Sequence, residues 1–317
     1  MKSDAAIIHL PEFSKHIGNK GNNKFFALLG SKFPSASIKY ISVLGMLTHL
    51  NNTVGLDKVS TLYSSTSGNT GTAAAYICKK TGMKFIALVD QKLEADKAAK
   101  ITAYGGKIIR VNGGVHERIA LARKLSEDDP YGVDLDQYNN PGALLGHYQI
   151  TGPIIWGAMD GKVDAIVVAI GTGGTFGGIA AYLTQRNSRL ITVPVDAKGS
   201  AVIDGTPHCR LLTGIGCAFI PKNVYRAYQF IRSEPIVVKE KDAFLTARWF
   251  RKTKCLEIGG SGGAVISATL DLADQITNKR ILMVFHDGAD DYHLTVYSDT
   301  WMVKHGFINT KKEAAHV

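Results

Sequence analysis

Short apolar runs rich in β-branched residues alternate with longer mixed stretches through most of this chain. Val59-Ser60-Thr61-Leu62-Tyr63 reads as a buried strand. It feeds the loop Ser65-Thr66-Ser67-Gly68-Asn69-Thr70-Gly71, and residues 72–78 read as a helix. Residues 85–89 form the next strand, 92–104 a charged helix and 107–111 another strand. Residues 165–170 are apolar throughout and closed by glycines, and 190–195 and 280–285 repeat the pattern. Such alternation predicts an α/β protein with mainly parallel sheets covered by helices. Ligands of open α/β sheets sit beyond the carboxyl ends of strands. The loops after Tyr63, Ile170 and Phe285 all fall on that edge. The turn-rich Asn139-Asn140-Pro141-Gly142 marks a boundary, dividing the chain into residues 1–145 and 146–317.

Composition narrows the classes. A length of 317 residues fits two α/β lobes better than one ordinary domain. Hydrophobic content is 45% and charged content 20%, as in a soluble protein with a full core. No apolar run is long enough to span a bilayer, so no membrane partner is expected. The first residues show no secretory pattern, which points to the cytoplasm. Cys78, Cys209, Cys217 and Cys255 lie far apart, with no CxxC and no HExxH. Neither a metal nor a disulfide framework is expected. The net charge of +10 fits a nucleic-acid partner or the steering of anionic substrates. Its lysines and arginines are scattered rather than blocked, which argues against nucleic acid.

Four elements carry candidate chemistry. The 65–71 loop places hydroxyls and glycines at a helix N-terminus, where free backbone N–H groups and the helix dipole favour a phosphate or carboxylate. Gly171-Thr172-Gly173-Gly174-Thr175 repeats that arrangement and suits a single phosphate. It has neither the Gly-Lys-Ser/Thr of a nucleoside-triphosphate loop nor the spacing of a dinucleotide fingerprint. Gly259-Gly260-Ser261-Gly262-Gly263 satisfies GxSxG, and Asp287 and His293 follow in hydrolase order. A serine hydrolase acting through Ser261 is therefore one alternative. Lys39 stands just before the apolar run of residues 40–47. A desolvated lysine there would be a good amine nucleophile for a Schiff base.

Taken in order, Ser37-Ile38-Lys39, Thr66-Ser67-Gly68-Asn69-Thr70-Gly71, the 171–175 loop, Gly214-Ile215-Gly216-Cys217-Ala218-Phe219-Ile220-Pro221 and the Ser261 loop resemble the cysteine synthase group of fold-type II enzymes dependent on pyridoxal 5′-phosphate. Gln137-Tyr138-Asn139-Asn140-Pro141 and His147-Tyr148 through Thr151-Gly152-Pro153 extend the likeness, which runs from about residue 25 to 301. The resemblance implies a tryptophan-synthase-β-like fold of two three-layer α/β/α domains, the first strands crossing to the other sheet. It also implies a homodimer acting on small amino-acid substrates. Lys39 would carry the cofactor as a Schiff base and act as general base. Asn69 would hold the cofactor's 3′ oxygen. Gly171, Thr172, Gly173, Gly174 and Thr175 would cradle its phosphate, and Ser261 would face the pyridine nitrogen. Thr66, Ser67, Asn69, Thr70 and Gln137 would take the substrate. The implied reaction is β-replacement on an activated L-serine through an aminoacrylate.

Departures from the family pattern are specific. Tyr40-Ile41 stand where Asp-Arg is usual, Ser35-Ala36 where Gly-Gly is usual, and His286-Asp287-Gly288-Ala289-Asp290-Asp291-Tyr292 replaces a PDSGERY-like stretch. Val195-Asp196-Ala197-Lys198-Gly199-Ser200 and Tyr297-Ser298-Asp299-Thr300-Trp301 are similar to the diaminopropionate-forming branch. That branch joins O-phospho-L-serine to L-glutamate, giving N-(2-amino-2-carboxyethyl)-L-glutamate for the siderophore staphyloferrin B. Cysteine synthase itself, with sulfide as nucleophile, is the nearest alternative. A non-catalytic relative that only binds a partner is another.

Overall fold

The computed structural model describes residues 6–309, apart from 67 and 254. The strands are β1 (Ile7–His9), β2 (Lys24–Leu29), β3 (Thr61–Ser65), β4 (Lys84–Asp90), β5 (Lys107–Val111), β6 (Gly132–Asp134), β7 (Ala165–Ala169), β8 (Ile191–Ala197), β9 (Ile236–Val238) and β10 (Arg280–Phe285). They form a larger sheet in the order β1-β2-β10-β7-β8-β9 and a smaller one in the order β5-β4-β3-β6. β1 pairs antiparallel with β2, and the other pairs run parallel. Helices cover both sheets, so the expected α/β architecture is what forms. Every residue of β7 is buried, as a strand covered on both faces requires.

β2 lies between β1 and β10, with Phe26 opposite Leu282. The N-terminal strands thus belong to the sheet built mainly by the C-terminal half. The strand read from residue 59 begins at Thr61 and runs on to Ser65, pairing Ser64 and Ser65 with Ala87 and Leu88. The next helix starts at Asn69 rather than at residue 72. Hydroxyl residues that look like loop in sequence are absorbed into strand and helix because their backbone hydrogen bonds need partners once buried.

The helix Lys39–Thr53 crosses the short helix Gly142–Gly146 with almost nothing between the backbones. A Cβ on Gly45 would strike the Gly142 carbonyl, and one on Gly146 would lie 2.7 Å from the Ile41 carbonyl oxygen. The chain continues through a π-helical turn, His147–Thr151, into Gly152–Ala158. The wider turn sets His147 inward, toward the helix Lys39–Thr53.

The turn ahead of Lys39 holds Ser35 at φ 65° and Ala36 at φ 53°. Side-chain-bearing residues pay about 1–2 kcal/mol each in that left-handed region. The turn is pinned to the end of β10, because the Ile38 amide donates to the His286 carbonyl at 2.9 Å and Ser37 bridges Asp287. Ser35→Gly and Ala36→Gly should each therefore stabilise the protein by about 0.5–1 kcal/mol, after allowing for glycine's larger unfolded-state entropy. Urea unfolding checks this. A loss of stability in both variants would show that the turn is unstrained.

Candidate active site

The carboxyl ends of β3, β7 and β10 open onto one cleft of about 260 Å³. Its walls include Lys39, Thr66, Asn69, Thr70, Gln137, Gly171 and Thr172, all singled out from sequence. Gly173, Gly174, Thr175 and Ser261 do not line the cleft itself. Ser67 lies outside the described residues.

Lys39 is the first residue of its helix, with its amide on Ser37 Oγ at 3.1 Å. Surrounding protein strips water from its amine and lowers its pKa, while the charge of Asp287 nearby opposes that shift. Burial pushes the Cys217 thiol up to about 12, so it stands as a neutral neighbour. A lysine kept closer to neutrality is a better nucleophile and base than one in water.

Thr66, Gly68, Asn69 and Thr70 line the same cleft as Lys39. Thr66 Oγ1 is buried with no hydrogen-bond partner among the described residues. Gln137 Nε2 donates to the Ser65 carbonyl at 2.6 Å, tying Gln137 to the end of β3. Asn69 is already engaged, its Nδ2 donating to Asp287 Oδ2 at 2.7 Å. The Tyr292 hydroxyl donates to the same carboxylate oxygen at 2.9 Å. Burial raises the Asp287 pKa, and these two donors pull it back.

Gly171 and Thr172 precede the helix Gly174–Thr184, whose first amides lack intrahelical partners. Gly173, at φ 90°, passes hard against the backbone of Asn223 and Val224, leaving no room for a Cβ. Thr175 is fixed from behind. Its hydroxyl meets His147 Nε2 at 3.2 Å, Ser42 Oγ meets the same nitrogen at 2.9 Å, and Thr151 Oγ1 meets Nδ1 at 2.9 Å. His147 is fully buried, which drives its pKa well down and keeps it neutral.

Ser261 is the second residue of the helix Gly260–Ala273, 1% exposed, and its hydroxyl has no partner among the described residues. His293 is exposed, packed beside the Tyr297 ring. A serine hydrolase needs a base on the serine hydroxyl, and no histidine among the described residues bonds Ser261.

His286 was not singled out in the sequence. It lines the cleft, with Nδ1 3.2 Å from the Gly214 carbonyl. A carbonyl only accepts, so Nδ1 carries the proton and Nε2 is left as a buried acceptor with no partner among the described residues. The available signal was a histidine directly after a buried strand, at a position where the resembled family has proline. Unpartnered Ser261 Oγ and His286 Nε2, the amides before Gly174 and a desolvated lysine fit a phosphorylated polar heteroaromatic cofactor.

Residues 3–287 match the family described as Pyridoxal-phosphate dependent enzyme. The chain is 33% identical over 247 residues to cysteine synthase 3 of Caenorhabditis elegans, covering 75% of this chain and 72% of that one. It is 32% identical over 287 residues to a cystathionine β-synthase of Apis mellifera, covering 87% of this chain. The chain spans 56% of that relative, about half its length. A solved structure of an O-acetylserine dependent cystathionine β-synthase from Helicobacter pylori superposes with a TM-score of 0.85 at 25% identity, covering 93% of this chain and 98% of that one. The fold and the cleft define a fold-type II enzyme. This chain belongs to the pyridoxal-phosphate dependent enzyme family, whose cofactor is pyridoxal 5′-phosphate.

Burial lowers the His286 pKa from 6.5 to about 3. The unfolded chain therefore binds a proton that the folded chain excludes between those values. This contribution to stability is complete above about pH 6.5 and is lost as pH falls toward about 3. At pH 5 the His286 share of the loss is on the order of 2 kcal/mol. Urea unfolding of the cofactor-free protein should lose less stability from pH 7 to pH 5 in His286→Gln than in the parent; equal losses would refute it.

Proposed function

We propose that this protein catalyses β-replacement on an activated L-serine, O-acetyl- or O-phospho-L-serine, as a cytoplasmic homodimer. The carrying observation is Lys39, a desolvated amine where β3, β7 and β10 converge, in the same cleft as Thr66, whose hydroxyl has no partner among the described residues. Lys39 would hold the cofactor's aldehyde carbon. Gly171, Thr172, Gly173, Gly174 and Thr175 would hold its phosphate at a helix N-terminus. Ser261 would meet its ring nitrogen, and Asn69, through its second N–H, its 3′ oxygen. Bound there, pyridoxal phosphate supplies an electron sink for the substrate's α-carbon.

The protein's own groups do the rest. Thr66, Ser67, Thr70 and Gln137 grip the α-carboxylate and orient the Cα–H toward Lys39. The Lys39 amine takes that proton as general base. A neutral serine at the ring nitrogen, rather than a carboxylate, favours prompt loss of the β-substituent.

The second substrate in this reading is an amine such as L-glutamate, on a route toward 2,3-diaminopropionate and siderophores. Its support is the likeness of residues 195–200 and 297–301 to that branch; the first stretch bonds the cleft residue Cys217, and the second holds the segment leading to Ser261. Ser200 Oγ accepts from the Cys217 amide at 3.1 Å, and the Tyr297 hydroxyl donates to the Ile258 carbonyl at 2.6 Å, close to Ser261. A second reading, cysteine synthase with sulfide, is favoured by the names of relatives such as the Caenorhabditis elegans protein.

Product analysis tests the proposal. Incubation with O-phosphoserine and L-glutamate should give N-(2-amino-2-carboxyethyl)-L-glutamate. Cysteine as the sole product, formed only with sulfide, would transfer the assignment to the second reading. The loaded protein should be yellow, absorbing near ~410–420 nm. Lys39→Ala should abolish that band and cut turnover by about a thousandfold or more. A persisting band would remove Lys39 from its role.

A further inference from the structure

Arg210 lines the cleft from the segment between β8 and the helix Lys222–Tyr228. Its guanidinium lies against the backbone of Gly216 beside Ser200. Nη1 is buried and has no hydrogen-bond partner among the described residues. Asp196 interacts with it by charge but makes no hydrogen bond to Nη1. Asp196 is fully buried and spends its oxygens on the amides of Ala197 and Ile203, at 2.9 and 2.8 Å. Asp291, at the cleft, pairs with Lys100. The other cationic side chains lining the cleft, Lys39 aside, are in ion pairs: Arg118 Nη1 with Asp90 Oδ2 at 2.8 Å, its Nε alone lacking a partner among the described residues, and Lys97 with Glu94 at 2.8 Å. Arg210 thus brings a buried, unpartnered donor to a cleft that Thr66, Asn69 and Thr70 also line.

An unmade charged hydrogen bond in a buried place is costly, and an anionic oxygen is the partner that satisfies it best. We propose that Arg210 forms a second anion subsite, distinct from the α-carboxylate loop, for an anionic oxygen group beyond the substrate's β-carbon. That group is either a carboxylate on the incoming nucleophile or the phosphate of a leaving group. The subsite rests on the β-replacement reading, and it selects substrates with a second anionic group over acetylserine and sulfide. The net charge of +10 would draw such substrates in.

The test compares the cofactor-loaded parent, Arg210→Met and Arg210→Lys in three reactions: O-acetylserine with sulfide, O-phosphoserine with sulfide, and O-acetylserine with L-glutamate. The expected result is a selective rise in KM. Relative to the acetylserine–sulfide pair, kcat/KM should fall about tenfold or more in Arg210→Met for one anionic pair, with Arg210→Lys recovering part of it. A rise confined to the phosphoserine arm would assign the site to the leaving group. A rise confined to the glutamate arm would assign it to the nucleophile. Equal losses in all three reactions, or no change in any, would overturn the subsite. So would weaker binding of the cofactor with unchanged KM values, which would place Arg210 on the cofactor's phosphate. If the parent performs none of the reactions, the function proposed above falls. Calorimetric titration of the loaded protein with inorganic phosphate and with L-glutamate then decides. Binding of either that Arg210→Met loses supports the subsite, and identical isotherms overturn it.

Discussion

A lysine amine poorly hydrated in a cleft at the meeting of three strand ends is the constraint on which the rest of this structure depends. Leaving a lysine poorly solvated works against its charge, so the surroundings must hold it in place. The Ile38 amide locks onto the His286 carbonyl, and Ser37 bridges Asp287, anchoring the lysine turn to β10. Behind it, glycines let the helix Lys39–Thr53 lie directly on Gly142–Gly146. The left-handed Ser35 and Ala36 are tolerated because this anchoring leaves the chain no other route.

Two polar networks extend the anchoring to both sides of the cleft. On one side His147 joins Ser42 on the lysine helix to Thr175 at the head of the 174–184 helix, so the amine and the glycine loop share a fixed reference. On the other, Asp287 gathers Asn69 from the smaller sheet's loop and Tyr292 from beyond β10. A buried carboxylate that accepts from both sheets' loops makes their separation coupled to its own hydrogen bonding. Movement of the 66–70 loop, the element that faces a substrate carboxylate, therefore has to break or carry along the Asn69–Asp287 contact.

Much of this was legible in the sequence, for identifiable reasons. β7 and β10 announce themselves as unbroken apolar runs, and the glycine loops after β3 and β7 lie at the expected strand ends. Lys39, Thr66, Asn69, Thr70, Gln137, Gly171 and Thr172 stand out by residue type and order, and they line one cleft. What stayed hidden depends on distant contacts. Nothing in Lys24–Leu29 alone says which sheet it joins, since that is set by pairing with β10; the crossing was expected only from the family resemblance. The engagement of Asn69 with Asp287 could not be read from a motif that lists only one of the two partners. His286 and Arg210 lack a motif of their own, and their chemistry comes from a neighbouring carbonyl and from a buried donor that no described residue accepts from.

The placement of β2 beside β10 also governs how the chain assembles. The smaller sheet draws all its strands from residues 61–134 and can close as soon as that stretch leaves the ribosome. The larger sheet cannot. β2 waits for β10 as its parallel neighbour, and Asn22 reaches Asn278 across 256 residues of chain. Such long-range closure is slow, so the first-made strands stay exposed the longest during synthesis. The lysine turn, pinned only when β10 arrives, is then among the last parts to take shape. A truncated or stalled chain would carry every glycine loop up to its break and still lack the anchored amine.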